Sequence, residues 1–404
     1  MKTPLAGRLA LDRNTGPVAA AVFLMAMGEE LWKRFAPKYL ESLGAPLVVI
    51  GAYGSTRDLL DGLAQYPGGW VVDRYGHRAG LRLFIVLAAT GYVLLAAASS
   101  WAPAFAGVVL VMAWSSMASP ALFAVIGEAL PVGRRTLGFS VQSILRRLPI
   151  VVAPFLGGLL IARYGMHQGV RLGLVINIVL AVATLALVSR VRLALSGPSV
   201  RVTPAGVWRS LPRRLKWLLV SDILVRTCEG LVDVFLVLYA LDVVGIRPPA
   251  YGLLIGVQMG ASILGYLPGA WLAARIGSKP VVTATFVAFA LFPIAVVSAE
   301  SLAGLVGAFA VGGLREIGEP ARKALIVDLA PPALRARSVG MYYLVRSLSI
   351  APAASVGGLL WQAAPALPFY LAGGFGLLGA VVFAATADGG DVHPKPEPRG
   401  HRTE

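Results

Sequence analysis

The sequence predicts an all-α integral membrane protein, twelve transmembrane helices arranged as two pseudo-symmetric six-helix halves, on three observations. Of 404 residues, 57% are hydrophobic and only 14% are charged, giving a mean hydropathy of +0.74. Soluble domains carry about a quarter charged residues, so lipid rather than water suits this surface. Apolar runs long enough to cross a bilayer, about 20 residues each, recur along the chain. Finally, residues repeat in order at a spacing of 200 or 201 positions, as Glu29 and Glu229 do.

The runs lie near 16–42, 47–72, 79–98, 103–131, 137–163 and 169–189. A basic stretch follows, containing Arg190, Arg192, Arg201, Arg209, Arg213, Arg214 and Lys216 among Gly197, Pro198 and Pro204, which reads as a loop or surface-lying segment. Six more runs lie near 217–244, 249–273, 279–298, 302–329, 335–362 and 366–388. The expected organisation is a first half over 1–189, a basic linker over 190–216, a second half over 217–388 and a disordered tail over 389–404. The apolar segment from Gly16 is too long for a signal-peptide core.

Orientation follows from the basic residues. Arg74, Arg78 and Arg82 follow span 2; Arg134 and Arg135 follow span 4; Arg275 and Lys279 follow span 8; Arg335 and Arg337 follow span 10. All share a side with the basic linker, so that side and both termini are expected in the cytoplasm and the protein in the inner membrane. A net charge of +16 alone would suit nucleic acid, but these residues are spread over short loops rather than one basic face.

The repeat is ordered. Glu29, Phe35 and Tyr39 match Glu229, Phe235 and Tyr239; Pro120, Glu128, Pro131 and Arg135 match Pro320, Asp328, Pro331 and Arg335. Arg146, Leu148 and Gly157-Gly158-Leu159-Leu160 match Arg346, Leu348 and Gly357-Gly358-Leu359-Leu360, and Pro67-Gly68 matches Pro268-Gly269. An ordered series of this kind marks a duplicated architecture.

After span 2 the chain carries Gly69, Asp73, Arg74, Gly76 and Arg78, with His77 between the last two. Here it resembles the major facilitator superfamily, whose signature between helices 2 and 3 is Gly-x-x-x-Asp-Arg-x-Gly-Arg-Arg. A degenerate copy spans 270–279, keeping Arg275, Gly277 and Lys279, with Ala274 in place of the acid. The resemblance implies a twelve-helix transporter acting as a monomer. It also implies that Asp73, Arg74 and Arg78 latch the cytoplasmic ends of the halves. In span 5, Ala153-Pro154-Phe155-Leu156-Gly157-Gly158 resembles part of the family's antiporter motif, Gly-Pro-x-x-Gly-Gly. Ala153 replaces its first glycine, and the Arg-containing helix-4 motif of drug:proton antiporters is missing. A proline-kinked helix with small packing residues explains Pro154, Gly157 and Gly158 equally well.

Charges inside the spans carry more information. An ionisable residue at the bilayer centre costs at least ~2.5 kcal/mol, so such residues face a cavity or a partner. Span 1 holds Glu29 and Glu30, then Lys33 and Arg34; span 2 holds Arg57, Asp58 and Asp61. Span 7 holds Asp222, Arg226, Glu229 and Asp233, at steps that place all four on one helical face. Span 10 holds Arg315, Glu316, Glu319, Arg322 and Lys323. Arg146 and Arg147 in span 5 face Arg346 and Ser347 in the repeat. Arg57–Asp61 and Glu319–Lys323 are also spaced as internal ion pairs, and Lys38, Asp242 and Asp328, near span ends, suit interfacial or gate contacts.

Desolvation and a neighbouring arginine pull a carboxylate's proton affinity in opposite directions, so an acid balanced between them can exchange a proton. Glu29 and Glu229 are the leading proton-coupling candidates, followed by Asp222, Asp233 and Asp61. Glu30, Arg57, Arg146, Arg226, Glu319 and Arg346 are the substrate-binding candidates. The expected activity is secondary active transport of a small solute by alternating access, proton-coupled and tending to export. Uptake or exchange of a polar organic anion or phosphate-containing solute is the alternative, and a non-transporting nutrient receptor a lesser one. Catalysis is not expected. The histidines fall in predicted loops or the tail, the single cysteine Cys228 supports no disulfide or thiolate metal site, and no phosphate-cradling loop is present. No cofactor, metal or nucleic acid is called for. The partners expected are the solute, protons and lipid.

Overall fold

The computed structural model describes residues 15–118, 132–189, 204–331 and 335–386. Twelve helical segments follow one another. In the first half α1 comprises Thr15–Glu30 and Ala36–Ser42, α2 Leu47–Leu63 and Gln65–Tyr75, α3 His77–Ala97, and α4 begins Trp101–Met112. The next helix, Val132–Val188, contains one non-helical residue, Gly165, which divides it into α5 over 132–164 and α6 over 166–188. A short helix, Pro204–Ser210, lies within the basic segment read as a linker. In the second half α7 begins Arg213–Val232, α8 is Pro248–Ile276, α9 Ser278–Val297, α10 Leu302–Leu314 with Glu319–Leu329, α11 Arg335–Ile350 with Ala353–Ala363, and α12 Leu367–Thr386. The tail over 389–404 and the loop end of span 4 lie outside the described residues.

Among the described residues, five stretches are long and apolar enough to cross a membrane by length and composition alone: Arg78–Ala97, Arg147–Val188, Ser278–Val297, Ser338–Ala363 and Leu367–Thr386. Four of the other segments depart from a continuous apolar helix. Breaks interrupt α1, α2 and α10, and α7 carries charges along its length. Large apolar side chains such as Val179, Val182 and Leu264 stand exposed on the outside, more than 60% open. In water that surface would be a liability; against lipid it is the expected one.

The duplication is visible in the backbone. A turn of 3-10 helix at Lys33–Phe35 interrupts α1, and its counterpart at Asp233–Phe235 interrupts α7. Gly76 and Gly277, with φ of 83° and 88°, make the α2–α3 and α8–α9 turns, a left-handed conformation open to residues without a Cβ. We call the end carrying these two turns proximal and the end carrying the α1–α2 turn distal.

Small residues set how closely helices approach. A Cβ on Gly157 would meet the carbonyl of Leu31 on α1, and one on Gly357 the carbonyl of Leu231 on α7. Their neighbours serve the seam between halves, Gly158 against Pro248 of α8 and Gly358 against Leu47 of α2. The helix-5 motif therefore does packing work that its repeat in α11 duplicates. Pro154 joins this seam, its carbonyl facing Gly252.

Candidate functional site

A cavity of about 410 Å³ lies between the halves, walled by α1, α2 and α4 on one side and α7, α8, α10 and α11 on the other. Its lining holds six acids and six bases: Glu30, Asp58, Asp61, Glu229, Asp233 and Glu316 against Lys33, Arg34, Arg57, Arg226, Arg315 and Arg346. Tyr53, Tyr251, Gln258 and Ser262 add neutral polar groups. Taking this many charges out of water is tolerable only where they find partners, and eight of the twelve pair with one another.

On the α1 side, Arg34 donates from Nε to Glu30 at 2.9 Å, one helical turn apart. Across the cavity, Arg226 donates to Glu229 at 2.6 Å, while Arg315 approaches the other oxygen of that carboxylate at 3.6 Å. The Arg315 guanidinium also lies 4.2 Å from the Phe292 ring centroid, over its electron-rich face. Between the halves, Arg57 of α2 meets Asp233 of α7 at 2.7 Å and its own neighbour Asp58 at 3.3 Å. Asp61 accepts from the Ser116 hydroxyl at 3.0 Å rather than pairing with Arg57.

Two of the proton-coupling candidates, the leading Glu29 and the lesser Asp222, sit elsewhere. Glu29 turns away from the cavity to accept from the buried Tyr92 hydroxyl at 2.8 Å, with Lys33 at 3.6 Å. Its neighbour Glu30 faces the lumen instead. Thus Glu29 and Glu229, matched by the repeat, do not share an environment. Asp222 also departs from the single acidic stripe expected on α7. It is fully buried behind the cavity, paired with Arg322 and accepting from Tyr342 at 3.0 Å, with Arg346 at 3.5 Å. Arg226 and Glu229, further along the same straight helix, and Asp233, in the 3-10 turn that follows it, do line the cavity. Arg346 reaches both places, lining the cavity while approaching Asp222.

Glu319 lies at the restart of α10, held by Lys323 at 2.8 Å and approached by Arg147 of α5 at 3.4 Å. The side chain of Arg146 lies outside the described residues, so Arg147, not chosen from the sequence, is the α5 arginine seen at the seam. Lys33, Arg34, Asp58, Arg315 and Glu316 were legible as charges within spans. What the sequence lacked was the helix facing that brings them to the lumen.

The distal end is shut. Lys38 of α1 meets Asp242 of α7 at 2.5 Å, and Ser55 of α2 meets Ser355 of α11 at 2.8 Å. Towards the proximal end the contacts between halves described here run out at Gly62 against Ser347 and Arg147 against Glu319. Beyond them Trp70, Tyr75, Trp271 and Ile276 stand more than half exposed. Of the signature residues, Arg74 lies 5.8 Å from the ring centroids of both Trp70 and Tyr75 within its own half, and Arg78 is exposed at the start of α3. The backbone of Gly69 continues α2 and Gly76 makes the turn, whereas the side chain of Asp73 lies outside the described residues. Among the described residues no group of three or more His, Cys, Asp or Glu side chains is arranged to hold a metal.

Comparison with known proteins agrees with this architecture. The family profile described as Major Facilitator Superfamily matches residues 18–225 and again 218–403, once for each half. An "Uncharacterized MFS-type transporter" of Methanocaldococcus jannaschii is 24% identical over 377 residues, covering 89% of this chain and 91% of its own. Among solved structures, a POT family transporter bound to a thioalcohol-conjugated peptide superposes with a TM-score of 0.78 at 14% identity, over 92% of this chain and 95% of the other. The nucleoside transporter NupG gives 0.76 at 14% identity, over 92% and 99%. The human organic anion transporter MFSD10 gives 0.65 at 17% identity, again over 92% and 99%. A duplicated helical bundle, a charged central cavity and a family match across both halves lead to one conclusion: this chain is a multi-pass membrane protein belonging to the Major Facilitator Superfamily.

Proposed function

We propose that this protein is a secondary active transporter for a small polar solute bearing charges of both signs. The observation that carries the reading is the cavity lining, with six acids and six bases facing about 410 Å³ of space. A lipophilic cargo would leave these groups desolvated against apolar surface, at a cost of several kcal/mol per ion. A dipolar cargo replaces one partner with another. One structural neighbour, a POT family transporter, binds a thioalcohol-conjugated peptide. The helix-5 glycines, which suggested export, have a packing role that α11 repeats, so uptake or exchange is the direction favoured here. Alternating access would come from rocking of the halves about the cavity, with proton coupling through the carboxylates that line or border it. Asp61, Glu229 and Asp233 remain candidates by position. We assign the protein to the inner membrane as a monomer with the proximal end cytoplasmic.

The test is flux in proteoliposomes with a panel of dipolar, anionic, cationic and lipophilic solutes, with and without an imposed proton gradient. Accumulation of dipolar solutes driven by the gradient is the expected outcome. Transport confined to lipophilic cations would overturn the substrate class, and flux indifferent to the gradient would overturn the coupling.

A further inference from the structure

Two cavity-lining charges of opposite sign, Asp61 and Arg346, stand outside the ion pairs that join eight of the others. Both lie beside one contact between the halves. Gly62 of α2 packs on Ser347 of α11 so closely that a Cβ on the glycine would stand 2.5 Å from the serine Cβ. Asp61 precedes the first of these residues and Arg346 the second. The backbone thus brings an acid of one half and a base of the other to the same level, near the proximal end of the cavity.

Neither is spent on the other. The Asp61 carboxylate is exposed and accepts from the Ser116 hydroxyl of α4 at 3.0 Å, a neutral donor that leaves its charge uncompensated. Arg346 leans out of the lining towards Asp222 at 3.5 Å. That carboxylate is already held by Arg322 and by the Tyr342 hydroxyl at 3.0 Å. The Nε of Arg346 is buried and finds no acceptor among the described residues. A buried N–H left in that state favours any arrangement that gives it an acceptor.

We propose that Asp61 and Arg346 clamp the two charged ends of the solute, Asp61 taking an ammonium group and Arg346 a carboxylate. The ligand class is a zwitterion such as an amino acid or a short peptide. A carboxylate can take two parallel N–H bonds from the guanidinium fork, which supplies the acceptor that Nε lacks. The ammonium group gives Asp61 its counter-charge. Arg346 can turn from Asp222 without stranding it, because Arg322 and Tyr342 stay in place. The eight paired charges keep their partners, so the solute enters without breaking the Arg57–Asp233 link between halves. A solute with one charge satisfies one wall and leaves the other unmatched, so selectivity arises from both ends together.

The inference rests on the reading of a dipolar cargo, and its test measures binding rather than flux. Binding of alanyl-alanine, β-alanine and γ-aminobutyrate to the full chain in lipid nanodiscs would be followed by titration calorimetry. Their N-acetyl derivatives, which lack the cation, and their methyl esters, which lack the anion, would be measured beside them. The parent should prefer a zwitterion to either derivative by at least about tenfold, the effect of one charge-assisted hydrogen bond. Arg346→Gln should erase the preference over the ester, and Asp61→Asn the preference over the acetylated compound. Lys33→Gln removes a positive charge from the same lining and should leave both preferences in place.

Should Arg346→Gln fail to fold, Arg346→Lys keeps the charge and removes the fork. It should weaken the zwitterion and the acetylated compound while sparing the ester. Equal losses in Lys33→Gln and Arg346→Gln would mean that net charge selects the ligand, and would overturn the clamp. A parent that binds none of the zwitterions would overturn it as well. Preference for the acetylated or esterified compounds would defeat the dipolar cargo and the clamp together. A preference for zwitterions that survives in both variants would leave the dipolar cargo standing and overturn the clamp alone.

Discussion

Arg57 and Asp233 meet across the seam at 2.7 Å, about a quarter exposed each, with Asp58 also on the arginine. Removing one partner of such a pair leaves the other charge without compensation, which typically costs about 3 kcal/mol. Arg57→Gln should therefore lower thermal stability markedly, and the double variant with Asp233→Asn should recover most of the loss. A thermal-shift series on the purified protein checks this. Equal destabilisation by the single and double variants would show that the pair has no special partnership. The same residues show what was legible at this scale. Every charge of the cavity could be read from the sequence as an ionisable residue within a span. Which of two adjacent acids faces the lumen could not be, because Glu29 and Glu30 lie just before a change of helical phase. Burial of Glu29 against Tyr92 required knowing that α3 passes behind α1.

At the scale of elements, the glycine pairs of α5 and α11 divide their labour. Gly157 packs within its own half on Leu31, whereas Gly158 packs across the seam, where a Cβ would stand 2.5 Å from the Pro248 carbonyl. Gly157→Val should destabilise the fold, since both helices must separate within one bundle. Gly158→Val should leave the fold near its parent stability and spread the distal seam, raising labelling of a cysteine placed there. Thermal melting and labelling rate, measured on both variants, separate the two roles; identical behaviour would refute the division. Helix number and the repeat were legible because apolar length and ordered spacing survive in sequence. The breaks at Lys33–Phe35 and Asp233–Phe235 were not, since neither segment contains glycine or proline. The break in α10 left a trace in Gly318 and Pro320.

Across the whole molecule, the described ion pairs between halves share one polarity. Lys38, Arg57 and Arg147 come from the first half, and Asp242, Asp233 and Glu319 from the second. Rocking of the halves must break and remake these pairs, so acid in the second half is where protonation or a competing cation would loosen the seam. The distal pair offers the clearest test, since it lies outside the cavity. Lys38 holds both Glu41 and Asp242, the latter more than a third exposed. Solvent screening limits such a pair to at most about 1 kcal/mol, equivalent to about a fivefold change in population. Asp242→Lys should therefore shift the distal end towards the open arrangement by up to that factor, and Lys38→Glu combined with Asp242→Lys should restore closure. Labels on the distal turns would report the shift. Because the Debye length falls to about 3 Å at 1 M salt, the difference between single and paired variants should shrink there. A shift that persists undiminished at high salt would mean that packing around Gly158 and Gly358, rather than charge, holds the distal end shut.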